Sequence, residues 1–119
     1  WTDTSAVPGT AKSLVNDLDL KLLYPDGTTA ALPWVLSQAA HPDSLQLPAT
    51  RGTDHTNPVE QILVANLPAG RYTIAVSSHS LHTNRQPFAL VWQADYSDSL
   101  YCTAPHNGMP VAAGSSLVV

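Results

Sequence analysis

Apolar and polar residues alternate with a period of two along much of this chain, the period of an extended strand with one buried face. Leu14, Asn16, Leu18, Leu20 and Leu22 fall on one side of the first such segment, and Val15, Asp17, Asp19 and Lys21 fall on the other. This predicts a strand whose second face is wet. Tyr72, Ile74 and Val76 alternate with Arg71, Thr73, Ala75 and Ser77, and Phe88, Leu90 and Trp92 alternate with Ala89, Val91 and Gln93. Two further strands are expected there, with Trp92 in the core. Gln61 to Ala65 is a shorter apolar run, ended by Asn66-Leu67-Pro68-Ala69-Gly70, which has the Pro and Gly punctuation of a tight turn. Ten prolines are spread through the sequence, and no long stretch keeps a 3.6-residue spacing, so helices should be short or absent.

Short strands separated by turn signals at intervals of about ten residues predict an all-β fold, a sandwich or a barrel of about eight antiparallel strands with little or no helix. Residues 36 to 57 are the least regular segment and predict a long connection across one end of the sandwich, where functional side chains tend to sit. The alternation stops after Trp92. Residues 1-94 are therefore expected to form the sandwich and 95-119 a linker, from Asp95-Tyr96-Ser97-Asp98-Ser99, followed by the start of a further module at Leu117-Val118-Val119.

Composition fits one globular domain: 119 residues, 44% hydrophobic and only 12% charged, enough for a single core. The formal net charge is -4, and Lys12, Lys21, Arg51, Arg71 and Arg85 are scattered singly. With no basic stripe to neutralise a run of phosphates, nucleic acid is not an expected partner. No apolar run approaches the ~20 residues that cross a bilayer, so membrane insertion is not expected either. Cys102 is the single cysteine. It cannot form an internal disulfide, and with no His or Lys beside it to activate the thiol it reads as a residue near a domain edge.

The chain has no G-x-S-x-G elbow, the frequent setting of a hydrolase serine. His79-Ser80-Leu81-His82 puts two imidazoles near a hydroxyl, yet no carboxylate lies within several residues and no third metal ligand is near in sequence. A solvated hairpin loop accounts for that cluster, and no catalytic residue is assigned. The oxygen-rich groups are more suggestive. Asp17 and Asp19 share a strand face with carboxylates about 7 Å apart, close enough to share a hard cation such as Ca2+. Asp54, Asn57 and Glu60 form a second group, and these five are the candidate metal ligands. The alternative is that Asp17 and Asp19 make salt contacts with Lys21 or Arg51. Asn16, an amide in a row of leucines, should cross-link backbone groups of a neighbouring loop, since an unsatisfied buried amide costs on the order of 1 to 3 kcal/mol. Glu60, ahead of Gln61-Ile62-Leu63-Val64, should organise loop amides in the same structural sense.

Five pieces in order carry a family resemblance: Leu14-Val15-Asn16-Asp17-Leu18-Asp19-Leu20; Pro25-Asp26-Gly27; Asp54-His55-Thr56-Asn57-Pro58-Val59-Glu60-Gln61; Pro68-Ala69-Gly70-Arg71-Tyr72-Thr73-Ile74-Ala75-Val76; and Gln86-Pro87-Phe88-Ala89-Leu90-Val91. The set resembles the β-sandwich domain that follows the catalytic domain in many secreted bacterial subtilisin-like serine proteases, itself distantly like the P-domain of proprotein convertases. The match runs over roughly residues 1 to 92. The resemblance implies a jelly-roll-like sandwich that is secreted or held at the cell surface, is not itself an enzyme, and packs on and stabilises the catalytic domain of the same polypeptide, helping to shape substrate access. It also implies that calcium is a ligand to look for and that the isolated chain is monomeric or weakly associating. The resembling domains have an apolar strand just before the W-x-D of Trp1-Thr2-Asp3, which would leave Trp1 at an exposed edge here. A rival reading is a carbohydrate- or surface-binding sandwich, in which Trp34 and Tyr24 would present ring faces to a ligand.

Overall fold

A computed structural model of the chain describes residues 1–37 and 41–93 and the backbone of 116–118. The fold is all-β and antiparallel, as the alternation predicts. Its six strands are β1 (Asp17–Leu23), β2 (Thr29–Ala31), β3 (Trp34–Val35), β4 (Thr50–Arg51), β5 (Thr73–Ser80) and β6 (Ser116–Val118), with one 3-10 turn at Pro42–Gln46. Four of them form a sheet in the order β2-β1-β5-β6, and β3 pairs with β4 in a second, two-stranded sheet. Two expected strands, over 61–65 and 88–92, run without ladder pairing among the described residues, so the described strands are fewer than about eight.

β1 ends where the Pro-Asp-Gly turn begins. The amide of Gly27 donates to the Tyr24 carbonyl (2.9 Å), and Gly27 holds φ at 83°, a left-handed conformation that glycine adopts without a Cβ penalty. Asp26 braces the turn by accepting from the Thr28 amide (2.9 Å) and hydroxyl (2.6 Å). These bonds hold the Asp26 carboxyl below its ordinary pKa. The hairpin returns as β2, with Leu22 opposite Ala31.

The β1–β5 pair is the centre of the fold. Leu20 lies opposite Val76 and Leu22 opposite Ile74, so the two apolar rows meet on one face. Leu18 (1% exposed) and Val76 (5%) form the core, with Trp1, Leu20, Leu81, Phe88 and Leu90 packed against them. Residues 88 to 90 thus cover the sheet as expected. Trp92 does not join them. It is 41% exposed. Trp1 also departs from expectation. It is half-buried against the core, its main-chain nitrogen donates to the Pro58 carbonyl (2.8 Å), and its indole donates to the Asn16 carbonyl (3.0 Å). An indole that satisfies its N–H while burying its ring works as a core plug, not an edge.

The face of β1 expected to be wet is dry where it matters. Asp17 is 0% and Asp19 8% exposed, and the centre of β5 is buried on both faces, at Ala75 and Val76. At the far end of the sequence, Ser116–Val118 pairs antiparallel with β5, Val118 opposite Ala75. That stretch, expected to open a further module, lies in the ladder of this sheet. Cys102, Tyr96, Tyr101 and the linker proposed over 95–99 lie outside the described residues.

Asn16 is the polar rivet of this core. Its Oδ1 accepts from the amides of His82 (3.0 Å) and Thr83 (3.2 Å) and from the Thr83 hydroxyl (3.1 Å), while its Nδ2 donates to Gln86 Oε1 (3.0 Å). Gln86, 3% exposed, passes the network on to the Thr2 carbonyl (2.9 Å). Replacing Asn16 with Ala strands these donors and acceptors, and should lower the unfolding free energy by about 3 kcal/mol in chemical denaturation. A loss below ~0.5 kcal/mol would mean that water takes over the bonds.

Candidate functional site

The β1–β5 ladder carries one irregularity. Asp17 lies opposite Ser80 and Leu18 opposite Ser78, so His79 is an extra residue on β5. Such a bulge breaks the alternation locally and re-aims the side chain it carries. His79 is aimed at Asp17. Asp17, His55 and His79 place one potential ligand atom each within 4.8 Å of one another.

His55 comes from the loop after β4, and Asp54 shapes that loop. The Asp54 carboxylate accepts from the amides of Thr56 (2.8 Å) and Asn57 (3.1 Å) and from the Asn57 side chain (2.7 Å). The result is a tight Asx turn, which sets His55 over the polar face of the sheet. Its ring stacks on that of His79, centroids 3.9 Å apart and planes 27° from parallel. Its Nδ1 stands 3.1 Å from Asp17 Oδ2 and 3.8 Å from Asp19 Oδ1. Neither approach has hydrogen-bond geometry. Asp17 Oδ1, Asp19 Oδ1 and His55 Nδ1 are all buried without a hydrogen-bond partner among the described residues.

The cation that does meet Asp17 is Lys12, whose Nζ donates to Oδ2 at 2.9 Å from a side chain 46% exposed. The partners weighed from sequence, Lys21 and Arg51, are not recorded on either aspartate. Arg51 is committed elsewhere. Its guanidinium lies 3.9 Å over the Trp34 ring, donates to the Leu32 carbonyl (2.6 Å) and reaches the Leu63 carbonyl.

Glu60 lies beside this cluster. Its Oε2 accepts from the Leu20 amide (2.6 Å), while Oε1 is buried without a partner. Burial pushes the Glu60 carboxyl up to about 7, against the lowering effect of the Leu20 bond, and the charges of Asp19, Asp54 and Asp17 add to the rise.

The five candidate ligands read from the sequence therefore separate by role. Asp17 and Asp19 meet two imidazoles, Asp54 and Asn57 bond to each other within a turn, and Glu60 holds the β1 backbone. His55 and Lys12 were missed as site residues, and His79 was paired with His82 when its neighbour is His55. His79 and Ser80 belong to β5 rather than to a solvated loop. Of the two aromatic candidates, Trp34 has one face covered by Arg51, and Tyr24 leans on Tyr72 at 5.7 Å with the planes 45° apart. Neither arrangement is the pair of coplanar exposed rings that a sugar platform would use.

The group at Asp17, His55 and His79 has the composition of a metal-binding site, two nitrogens and carboxylate oxygen on facing elements. Among the described residues no helix is long and apolar enough to cross a membrane. Comparison with family models, with curated proteins and with solved structures returns no match for the chain.

The Glu60 shift gives stability a definite pH dependence. Below the ordinary value of 4.5 both folded and unfolded chains hold the proton, and between 4.5 and about 7 only the folded chain does. Stability from this group is then present at low pH and falls as pH rises through that window. Glu60→Gln keeps an acceptor for the Leu20 amide and removes the charge. Thermal melts should show the variant above the parent at about pH 8 and level with it at about pH 4. A lower melting temperature at the alkaline end would mean that the carboxylate is charge-paired instead.

Proposed function

We propose that this chain is a non-catalytic accessory β-sandwich of a secreted subtilisin-like serine protease, packing on the catalytic domain of the same polypeptide and stabilising it. The ordered motifs from Leu14 to Val91 suggest the family. The observation that carries the packing role is the apolar surface left exposed among the described residues. Among the described residues the buried core hydrophobics are Leu14, Leu18, Ala75 and Val76, whereas Val7, Leu36, Leu45, Val59, Leu63 and Val91 are each at least 66% exposed. An open groove of about 270 Å³ runs beside the core between Leu20, Val59 and Ala89. Apolar surface left open on this scale fits a body that is finished by another one. The Asn16 and Glu60 contacts suit the same role, since they hold the segment after β5 and the backbone of β1 in place.

Deleting residues 1 to 93 from the parent polypeptide should lower its melting temperature and its yield of active protease while leaving the catalytic groups in place. A parent that kept full stability and lost only adhesion to a polysaccharide or cell surface would replace this reading with the binding-module one. Calcium, which the resemblance brings with it, would take carboxylate oxygen, such as the unpartnered Oδ1 of Asp17, and leave the imidazoles idle, as a hard cation does. A melting temperature raised by millimolar calcium and lowered again by a chelator would support calcium over the zinc-type ion argued below. Equal melts with and without calcium would remove calcium from the account.

A further inference from the structure

We infer that Asp17, His55 and His79 form a binding site for a divalent transition metal of the zinc type. The inference stands on the cluster's own geometry and is independent of the accessory-domain reading. Asp17 is 0% exposed, yet among the described residues its Oδ1 has no hydrogen-bond partner, and the buried His55 Nδ1 beside it has none either. Leaving such atoms unsatisfied is costly unless something completes them. A cation completes all of them at once.

The donor set selects the class of ion. Calcium and magnesium take oxygen ligands, whereas imidazole nitrogen with carboxylate oxygen suits zinc and its first-row neighbours. Zinc bonds of about 2.0 to 2.2 Å in a tetrahedron put donor atoms about 3.3 Å apart. The Asp17 Oδ2 to His55 Nδ1 separation of 3.1 Å is already of that size, and the potential ligand atoms of Asp17, His55 and His79 all lie within 4.8 Å of one another. His79 is exposed, so its ring can turn from the stack toward the ion without disturbing the core. The bulge on β5 and the Asx turn at Asp54 fix where the two imidazoles start, and the ladder fixes Asp17 and Asp19. Lys12 is the internal competitor. Its ammonium holds Asp17 Oδ2 from a half-exposed side chain and would swing into solvent as the metal arrives.

The test uses the full chain in a Cys102→Ser background, so that the thiol cannot supply a ligand. Zn2+ should bind at one equivalent in a competition titration with a chromophoric chelator, and should raise the melting temperature where Ca2+ and Mg2+ do not. Co2+ should give the visible absorption of a tetrahedral site. His79→Ala, a change at an exposed position, should weaken Zn2+ binding about 100-fold, with His55→Ala similar, whereas His82→Ala should leave it unchanged. Lys12→Met should tighten binding by removing the competing charge. Absence of saturable Zn2+ binding, binding that survives His79→Ala and His55→Ala together, or a melting shift given by Ca2+ in place of Zn2+ would overturn the assignment.

Discussion

The Asn16 amide ties β1 to the segment after β5 through four hydrogen bonds, to His82, Thr83 and Gln86, and the rest of the core is arranged around it. A polar side chain in a row of leucines specifies its surroundings more tightly than another leucine would, because a shift of register leaves its bonds unmade. The chain from Leu81 to Leu90 is therefore held over the Leu18–Val76 core without a strand ladder of its own. Trp1 closes the same corner by giving its indole N–H to the Asn16 carbonyl, and Asp3 completes it by accepting from the Asn16 amide at 3.0 Å. One residue thus joins the start of the chain, the central strand and the covering layer.

The opposite face of β1 has the reverse character. The ladder that buries Leu18 also buries Asp17 and Asp19, since a central strand with loops on its second face has no wet side. Negative charge accumulates there. The fold answers with Lys12 on Asp17, with backbone and side-chain donors on Asp54, and with the Leu20 amide on Glu60. The β5 bulge and the Asp54 turn then bring His79 and His55 to the same place. The chemistry of the site is a by-product of satisfying, or failing to satisfy, buried carboxylates.

What could be read from the residues divides along the same line. Period-two alternation finds β1 and β5, the Pro-Asp-Gly turn locates the first hairpin, and an amide among leucines announces a cross-link, because each signal is local or depends on a single strand. The burial of Asp17 and Asp19 is not local. It depends on which loop lies over the second face, and nothing within Leu14 to Leu22 encodes that. His55 was hidden for the same reason, sitting 38 positions from Asp17 by their numbers and joined to it only by the path of the β4–β5 connection. His79 was visible as a histidine, but its direction depends on a bulge that appears only once β1 and β5 are paired. Trp92 failed in the other sense. Its phase with Phe88 and Leu90 is correct for a core position, yet alternation says nothing of where a covering layer ends.

Protonation of Glu60 and capture of a cation at Asp17 relieve the same repulsion. The carboxyl of Glu60 is raised by burial first and then by the charges of Asp19, Asp54 and Asp17. A divalent ion at Asp17, beside Asp19, would offset the charges of those two and leave burial and the Asp54 charge acting on Glu60, so its carboxyl would stay above its ordinary value, only less far. Proton and metal are then linked through the field of one small cluster. The buried face of β1 is in this sense an electrostatic constraint with two exits, and the Leu20 amide, which holds one oxygen of Glu60 whatever its charge, keeps the strand in place for either.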